Sequence, residues 1–433
     1  MHHRATSTAV SSAAMKTIGL RLGAARRAVA VTWAVALILA CNAQPTASPA
    51  VSAFATAAPT ATPATSIASP APSFPTTIPA EGTSWRRVFT IDNGTLGNAI
   101  AGPWGLVSAG CIANADSDCA QRIVVLSENT DDWQQLEVDG PRAVAFGSLR
   151  RIGDRLFSLG YGYYGPSGGA VIHTSVDGRS WTRVESTSFQ SRAVRDIIDS
   201  PLGTLAIGYE APIESDNTSG FVVWPVGADG SFGTARVVQL PFGPTLVSGG
   251  TWAGSEFLAW GVRDGPSGVG PTTVLASPDG EAWTFRGEVS APQGADVGQI
   301  VRFGDVLVAV GYEGRSYPIS PRAWTSTDGG QSWSLATIPS ENAAMNAVAI
   351  ERSILIARGT AFSESGDQRQ AVSWRSKDGT AWTRLADDED MPSVPGFSAI
   401  VRATLGDQTC VAGSVLGDTS STGAIYCRPT VDQ

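Results

Sequence analysis

The sequence predicts an all-β fold: a seven-bladed β-propeller of four-stranded antiparallel blades, the last blade closed by the N-terminal strand. Three observations predict it. Turn residues are abundant, with 48 Gly and 26 Pro among 433 residues, and only 16% of residues are charged. That balance suits many short strands joined by tight turns. An aromatic-containing motif recurs seven times at nearly constant spacing, and the final repeat lacks the strand that the first one supplies.

The repeat reads SVDGRSW at 175–181, SPDGEAW at 277–283, SKDGTAW at 376–382 and STDGGQSW at 326–333. Degenerate copies stand at 127–133 (SENTDDW) and 228–232 (ADGSF), and a half copy at 81–85 (EGTSW). The aromatic positions are 85, 133, 181, 232, 283, 333 and 382, in steps of 48, 48, 51, 51, 50 and 49 residues. A fixed period of this length marks a repeat architecture.

Each repeat has the same interior. Residues 297–312, VGQIVRFGDVLVAVGY, read as a strand, a Gly-Asp turn and a second strand ending in Gly-Tyr. A third strand such as RAWTS at 322–326 leads into the Asp-Gly turn, and a fourth begins at the Trp. Four short strands per repeat read as one propeller blade. The last repeat, about 396–429, has three strands, while 83–90 supplies a fourth strand with nothing before it. Pairing the two leaves no open sheet edge.

The turn motif has a physical reason. Asp accepts hydrogen bonds from its own turn, and Gly takes the positive φ. The Trp is expected to pack between neighbouring sheets, removing about 150–250 Å² from water. The four full motifs (Asp177 with Trp181, Asp279 with Trp283, Asp328 with Trp333, Asp378 with Trp382) resemble the Asp-box, or BNR, repeat of the sialidase-like superfamily. The resemblance covers nearly all of 82–429. It implies a structural role for the boxes, on turns away from any active centre. The family's sialidases have six blades and an early Arg-Ile-Pro-type motif; this chain has seven repeats and lacks that motif. Seven-bladed propellers with such boxes also resemble assembly factors of the photosystem type, whose basic Arg patch has no counterpart here.

The N-terminus reads as an address. Arg26 and Arg27 precede an apolar run, 28–40, and then Cys41. A basic start, a short apolar core and a small residue before the cut make a secretory signal. Thirteen helical residues rise about 20 Å, too short to span a bilayer of about 30 Å. Residues 38–41, ILAC, resemble the lipobox of bacterial lipoproteins, with Leu39 slightly off pattern. That resemblance implies lipidation at Cys41 and an exported, membrane-anchored protein. Met15 gives a signal of more ordinary length than Met1. Residues 42–80 are almost wholly Ala, Thr, Pro and Ser, without charge, and read as a disordered tether. The expected organisation is a signal at 1–41, a tether at 42–80 and the propeller at 81–433. With Cys41 set aside, Cys111 and Cys119 flank one second-to-third-strand turn, and Cys410 and Cys427 flank another. An exported chain suits these two disulfides.

Composition excludes several chemistries. Histidine occurs only at His2, His3 and His173, and lysine only at Lys16 and Lys377. A multi-His zinc site and a Lys-centred phosphate loop are absent. A Ser-His-Asp triad would need His173, which reads as a packed third-strand residue. Residues 81–433 carry 39 acidic and 25 basic side chains, a balance opposed to nucleic-acid binding. Any enzyme here works with Asp, Glu, Tyr and Arg.

The second-to-third-strand loops and the blade-to-blade connections share one face, around the channel mouth. Tyr161, Tyr163, Tyr164, Arg263, Arg315 and Tyr317 make a rim suited to a sugar or peptide. By the resemblance, a sialidase would use Tyr161, Tyr209 or Tyr312 with Glu210 or Glu313, and Arg195 or Arg315. Asp196 and Asp296, near inner-strand starts, are the candidates for two-carboxylate hydrolysis. Acidic clusters at Asn114, Asp116 and Asp118, and at Asp387, Asp388, Glu389 and Asp390, offer calcium donors but lack the twelve-residue loop with its central Gly. No metal site or cofactor is expected. The reading is a lipid-anchored monomeric domain, a non-enzymatic scaffold for a glycan or envelope protein. The alternative is a sialidase-like glycoside hydrolase with its site at the channel mouth.

Overall fold

The computed structural model describes residues 84–430, apart from 114–118, 140–144, 162–167, 211–219, 241–245, 266–267, 315, 367 and 418–419, together with the short strand Ile78–Pro79. The signal, Cys41 and nearly all of the tether lie outside the described residues, as do Asn114, Asp116 and Asp118.

Seven antiparallel sheets form a β-propeller. Six are sequential four-stranded blades. Their innermost strands are Gly94–Gly102, Ala145–Ile152, Arg192–Ile198, Leu246–Trp252, Ala295–Phe303 and Ala343–Glu351, for blades 1 to 6. Blade 7 holds Phe397–Ser398 and Arg402–Leu405 inside, then Gln408–Leu416, Ser421–Pro429 and Arg86–Asp92. Arg86 pairs with Cys427, and Asp92 with Thr422. The only helical element among the described residues is a single 3₁₀ turn, Thr187–Phe189.

The core is seven apolar seams, one between each pair of neighbouring blades. Alternation along each strand sends residues to both sheet faces, so every blade needs a neighbour on each side. The repeated aromatic fills that need. Trp283 of blade 4 packs edge-on against Phe221 of blade 3 at 4.9 Å. Phe232 of blade 3 meets Phe157 of blade 2, and Trp133 of blade 1 meets Phe89 of blade 7. Trp85 is fully buried beside Ala371 of blade 6, with the Arg428 guanidinium 4.4 Å above its ring. Trp181, Trp333 and Trp382 likewise lie in the seam with the preceding blade.

The Asp-Gly turns link the third strand to the outermost one. Asp177 Oδ1 accepts the N–H groups of Arg179 and Ser180 at 2.8 and 2.7 Å. Ser175 Oγ accepts the Gly178 N–H, and Trp181 Nε1–H donates to the Gly178 carbonyl. The same set recurs at Asp279, Asp328 and Asp378. In blade 1, Asn129 replaces Asp, and Thr130 adopts φ +70° in place of Gly. In blade 3, Phe232 keeps the wedge without the indole hydrogen bond.

Innermost strands carry a second repeated device. Opposite the Gly that nearly ends each second strand, the inner strand bulges by a residue, for example between Val194 and Asp196 and between Val297 and Gln299. A Cβ on Gly208, Gly311 or Gly359 would lie 1.8, 2.0 or 1.8 Å from the carbonyl oxygen of Ala193, Asp296 or Ala344. Only glycine permits that approach, which explains the Gly of the Gly-Tyr pattern.

Cys111 is bonded to Cys119 across the second-to-third-strand turn of blade 1. Cys410 is bonded to Cys427, its direct cross-strand partner in blade 7. His173 is 1% exposed, its Nε2 2.8 Å from the Asp139 carbonyl, and burial pushes its pKa down.

Two outcomes test this account. Trp283→Ala should destabilise the domain by about 3–5 kcal/mol in a chemical denaturation series. Acid should loosen the turns. Burial pushes the Asp177 carboxyl up, but the Ser180 and Arg179 N–H groups and nearby hydroxyls outweigh it and hold the pKa at about 2. Asp279, Asp328 and Asp378 are also held low by turn hydrogen bonds. A carboxyl depressed below its unfolded pKa of about 3.9 contributes stability above that pH and loses it as pH falls through the folded value. Calorimetric Tm should therefore drop between about pH 4 and 2, and Asp177→Asn should flatten that drop.

Candidate functional site at the channel mouth

Inner strands begin, and second strands end, on the face opposite the Asp-Gly turns. The strand order thus brings Arg192, Arg195, Asp196, Tyr209, Glu210, Asp296, Tyr312 and Glu313 to this half of the propeller.

Most of the carboxylates are already engaged. Glu210 is paired with Arg192 at 2.9 Å. Glu313 accepts from Arg322 at 2.7 Å and from the Gln293 N–H at 2.8 Å. Glu313 and Arg322 help line a cleft of about 350 Å³ with Pro292, Gln293, Leu335 and Ala336. Asp196 pairs with Arg150 of blade 2 and accepts the Gly250 N–H of blade 4, tying three inner strands together. The Asp196 charge raises the Arg150 pKa.

Asp296 is different. It stands directly across the hairpin from Tyr312, whose hydroxyl donates to Oδ2 at 2.8 Å. Its Oδ1 is buried without a hydrogen-bond partner. Burial raises the Asp296 pKa, against smaller opposing pulls from the Tyr312 hydroxyl and the Arg195 charge. Burial also raises Tyr312, reinforced by the Asp296 charge beside it. Arg195 is the bulged residue of blade 3, and its Nε is likewise buried without a partner. Burial raises the Tyr209 pKa, and the Arg195 charge opposes the rise.

The structure thus joins Asp296 and Tyr312 in a hydrogen bond, with the Arg195 charge acting on both Asp296 and Tyr209. It ties Glu210, Glu313 and Asp196 into separate pairs, and Tyr312 takes Asp296 rather than Glu313 as its partner. Adjacent strand residues face opposite ways, so Tyr312 and Glu313 point to different sides of their sheet. The sequence reading did not foresee Arg150, Arg192 and Arg322 as the partners of these acids.

Tyr317 packs on Phe362 of blade 6 at 4.9 Å, and Tyr161 is half-buried at the end of its strand. Tyr163, Tyr164, Arg315 and the Arg263 side chain lie outside the described residues. Of the C-terminal acidic run, Asp390 is 4% exposed and bound by Arg358, Arg402 and the Ser373 hydroxyl. Asp388 accepts the Ser393 N–H, and Glu389 accepts the Ala386 N–H. Among the described residues, no three His, Cys, Asp or Glu side chains converge as metal ligands.

The fold places this chain among the seven-bladed β-propellers. Solved β-propeller structures are similar to it. An ulvan lyase, a polysaccharide lyase bound to a GlcA-containing saccharide, matches at TM-score 0.53 and 11% identity, over 77% of this chain and 91% of that one. A Trypanosoma rangeli sialidase in complex with the inhibitor DANA matches at 0.44 and 11%, over 65% and 54%. YCF48 bound to a peptide matches at 0.48 and 13%, over 84% and 100%. This chain spans about half the length of the sialidase. No protein-family model matches the chain, and no curated protein matches it in sequence.

The Asp296–Tyr312 contact is directly testable. Tyr312→Phe removes a donor that favours the ionised carboxylate, so the Asp296 pKa should rise further. Carbon-detected NMR titration of the Asp296 carboxyl would read that rise.

Proposed function

We propose that this protein is an exported, lipid-anchored propeller that binds a glycan at the cell envelope and does not turn it over. One observation carries this reading. Three of the four candidate acids at the mouth are tied to arginines: Glu210 to Arg192, Glu313 to Arg322 and Asp196 to Arg150, leaving Asp296 alone. A two-carboxylate glycosidase needs one free base and one free acid flanking its bond. A sialidase-like site needs arginines free to meet a substrate carboxylate. Arg192, Arg322 and Arg150 already hold protein carboxylates. A binding site has no such need; it asks for a few convergent polar groups beside aromatic surface. Arg195, Asp296, Tyr209 and Tyr312 are of that kind. The saccharide bound by the ulvan lyase propeller fits this reading. The Cys41 lipid anchor and the tether at 42–80 would hold the domain outside the membrane.

A hydrolase is the second reading, favoured by the Tyr312–Asp296 hydrogen bond at a carboxyl whose pKa is raised. A glycan array incubated with the full chain and read for both retention and released sugar separates the two. Retention without release is the expected outcome. Release that is lost in Tyr312→Phe would establish the hydrolase instead. An array with neither signal, joined to capture of an envelope protein, would replace the glycan with a protein partner.

A further inference from the structure

One position in the repeat departs from its six counterparts. The residue before the glycine that nearly ends each second strand faces the next blade. It is apolar and buried at Ala109, Leu159, Ile207, Trp260, Val310 and Ala412. Blade 6 holds Arg358 there, at 4% exposure. Six blades seal this point without a charge, so the fold does not require one. A buried charge must also be paired.

Arg358 grips Asp390, in the connection from blade 6 to blade 7. Its Nε and Nη2 donate to the two carboxylate oxygens at 2.8 and 3.0 Å. Arg402 of blade 7 reaches the same carboxylate at 2.7 Å, and the Ser373 hydroxyl donates to it at 2.6 Å. Glu351 joins both arginines and balances the charge. Two cations and two anions thus lock one residue of the connection, and Asp390 itself is 4% exposed.

The backbone just before Asp390 holds the closing strand. Trp85 opens that strand, and only half a turn motif precedes it. The other wedge tryptophans donate to a carbonyl of their own turn. Trp85 donates instead to the Asp388 carbonyl, 303 residues away. Arg428, on Ser421–Pro429, donates to the carbonyls of Asp388 and Glu389 at 2.8 and 2.6 Å and lies over the Trp85 ring. Met391 is buried in the same seam as Trp85. The connection stands where the missing turn would be.

We propose that the Asp390 cluster is a clasp: by fixing the connection between blades 6 and 7, it builds the acceptor site that retains the N-terminal strand and keeps the ring shut. Asp390 is a positioning residue in this device. Hydrogen bonds weaken steeply when their angle is lost, so loosening Asp390 withdraws the acceptors of Trp85 and Arg428 together. Arg86–Asp92 is an end strand of the domain and can leave without unfolding the other blades. The acidic run at 387–390, which offered calcium donors by sequence, is in this reading a part of the closure.

The test is hydrogen exchange read by mass spectrometry on the full chain. Asp390→Asn keeps the shape and removes the charge. It should speed exchange in 86–92 and in 386–394 by about tenfold or more, with blades 2 to 5 unchanged. Trp85→Phe keeps a wedge of the kind Phe232 supplies in blade 3; it should speed exchange in 86–92 and leave 386–394 protected. Asp387→Asn removes a charge from the same run, at a surface pair with Arg384, and should change neither segment. Where Asp390→Asn does not fold, Arg402→Gln weakens the same cage from its more exposed side and is read in its place. Opening of 386–394 with 86–92 still protected would overturn the clasp. So would faster exchange spread evenly over all seven blades, the mark of a generally weakened fold. An Asp387→Asn effect equal to that of Asp390→Asn would trace the result to the charge of the run and overturn the clasp as well.

Discussion

The structure depends on a constraint that no single blade can satisfy. Each sheet has two apolar faces, and water must be kept from both. The aromatic that begins each outermost strand meets half of that demand by wedging against the previous blade. The indole N–H is satisfied within its own turn, or at Trp85 by the Asp388 carbonyl, so a large side chain is buried without an orphaned donor. Blade 3 shows which part matters more. Phe232 has no N–H to place, yet it packs edge-on between Phe157 and Phe189. The wedge is required, and the hydrogen bond is an accommodation to Trp.

The period of the wedge made the architecture legible. Seven aromatics at one spacing define seven blades, and the Asp-Gly turns define strand direction. The same reasoning failed at the mouth, for a geometric reason. Counting outward from the turn at Gly304 and Asp305, an unbroken hairpin would set Tyr312 opposite Val297. The bulge at Gly298 adds one residue to the inner strand and sets Tyr312 opposite Asp296. A one-residue shift changes which side chains meet, and the bulge shows in the sequence only as a glycine in the partner strand. Salt-bridge partners were hidden differently. Arg322 and Glu313 sit on neighbouring strands, but Arg150 and Asp196 meet across two blades, where linear spacing carries no information.

The repeat also separates architecture from purpose. Positions that all blades share, such as the bulge glycine, answer to packing. Positions where one blade departs need another explanation. Asn98 and Gln299 are such departures with a visible structural one: each side chain bonds the backbone of the next inner strand and so joins neighbouring blades. Asp196 does the same for blades 3 and 4.

Blade 7 carries a consequence in time rather than space. Its Arg86–Asp92 strand and its Ser421–Pro429 strand come from opposite ends of the domain. A chain emerging from its N-terminus makes the first of these strands early and must hold it unpaired until Ser421–Pro429 arrives. Closing so long a loop is entropically slow and comes after the local hairpins. During that interval Trp85, Phe89 and Ile91, all deeply buried in the finished protein, have no seam to enter. The order of synthesis thus gives this fold a vulnerable period whose length is set by the time needed to deliver its last strand.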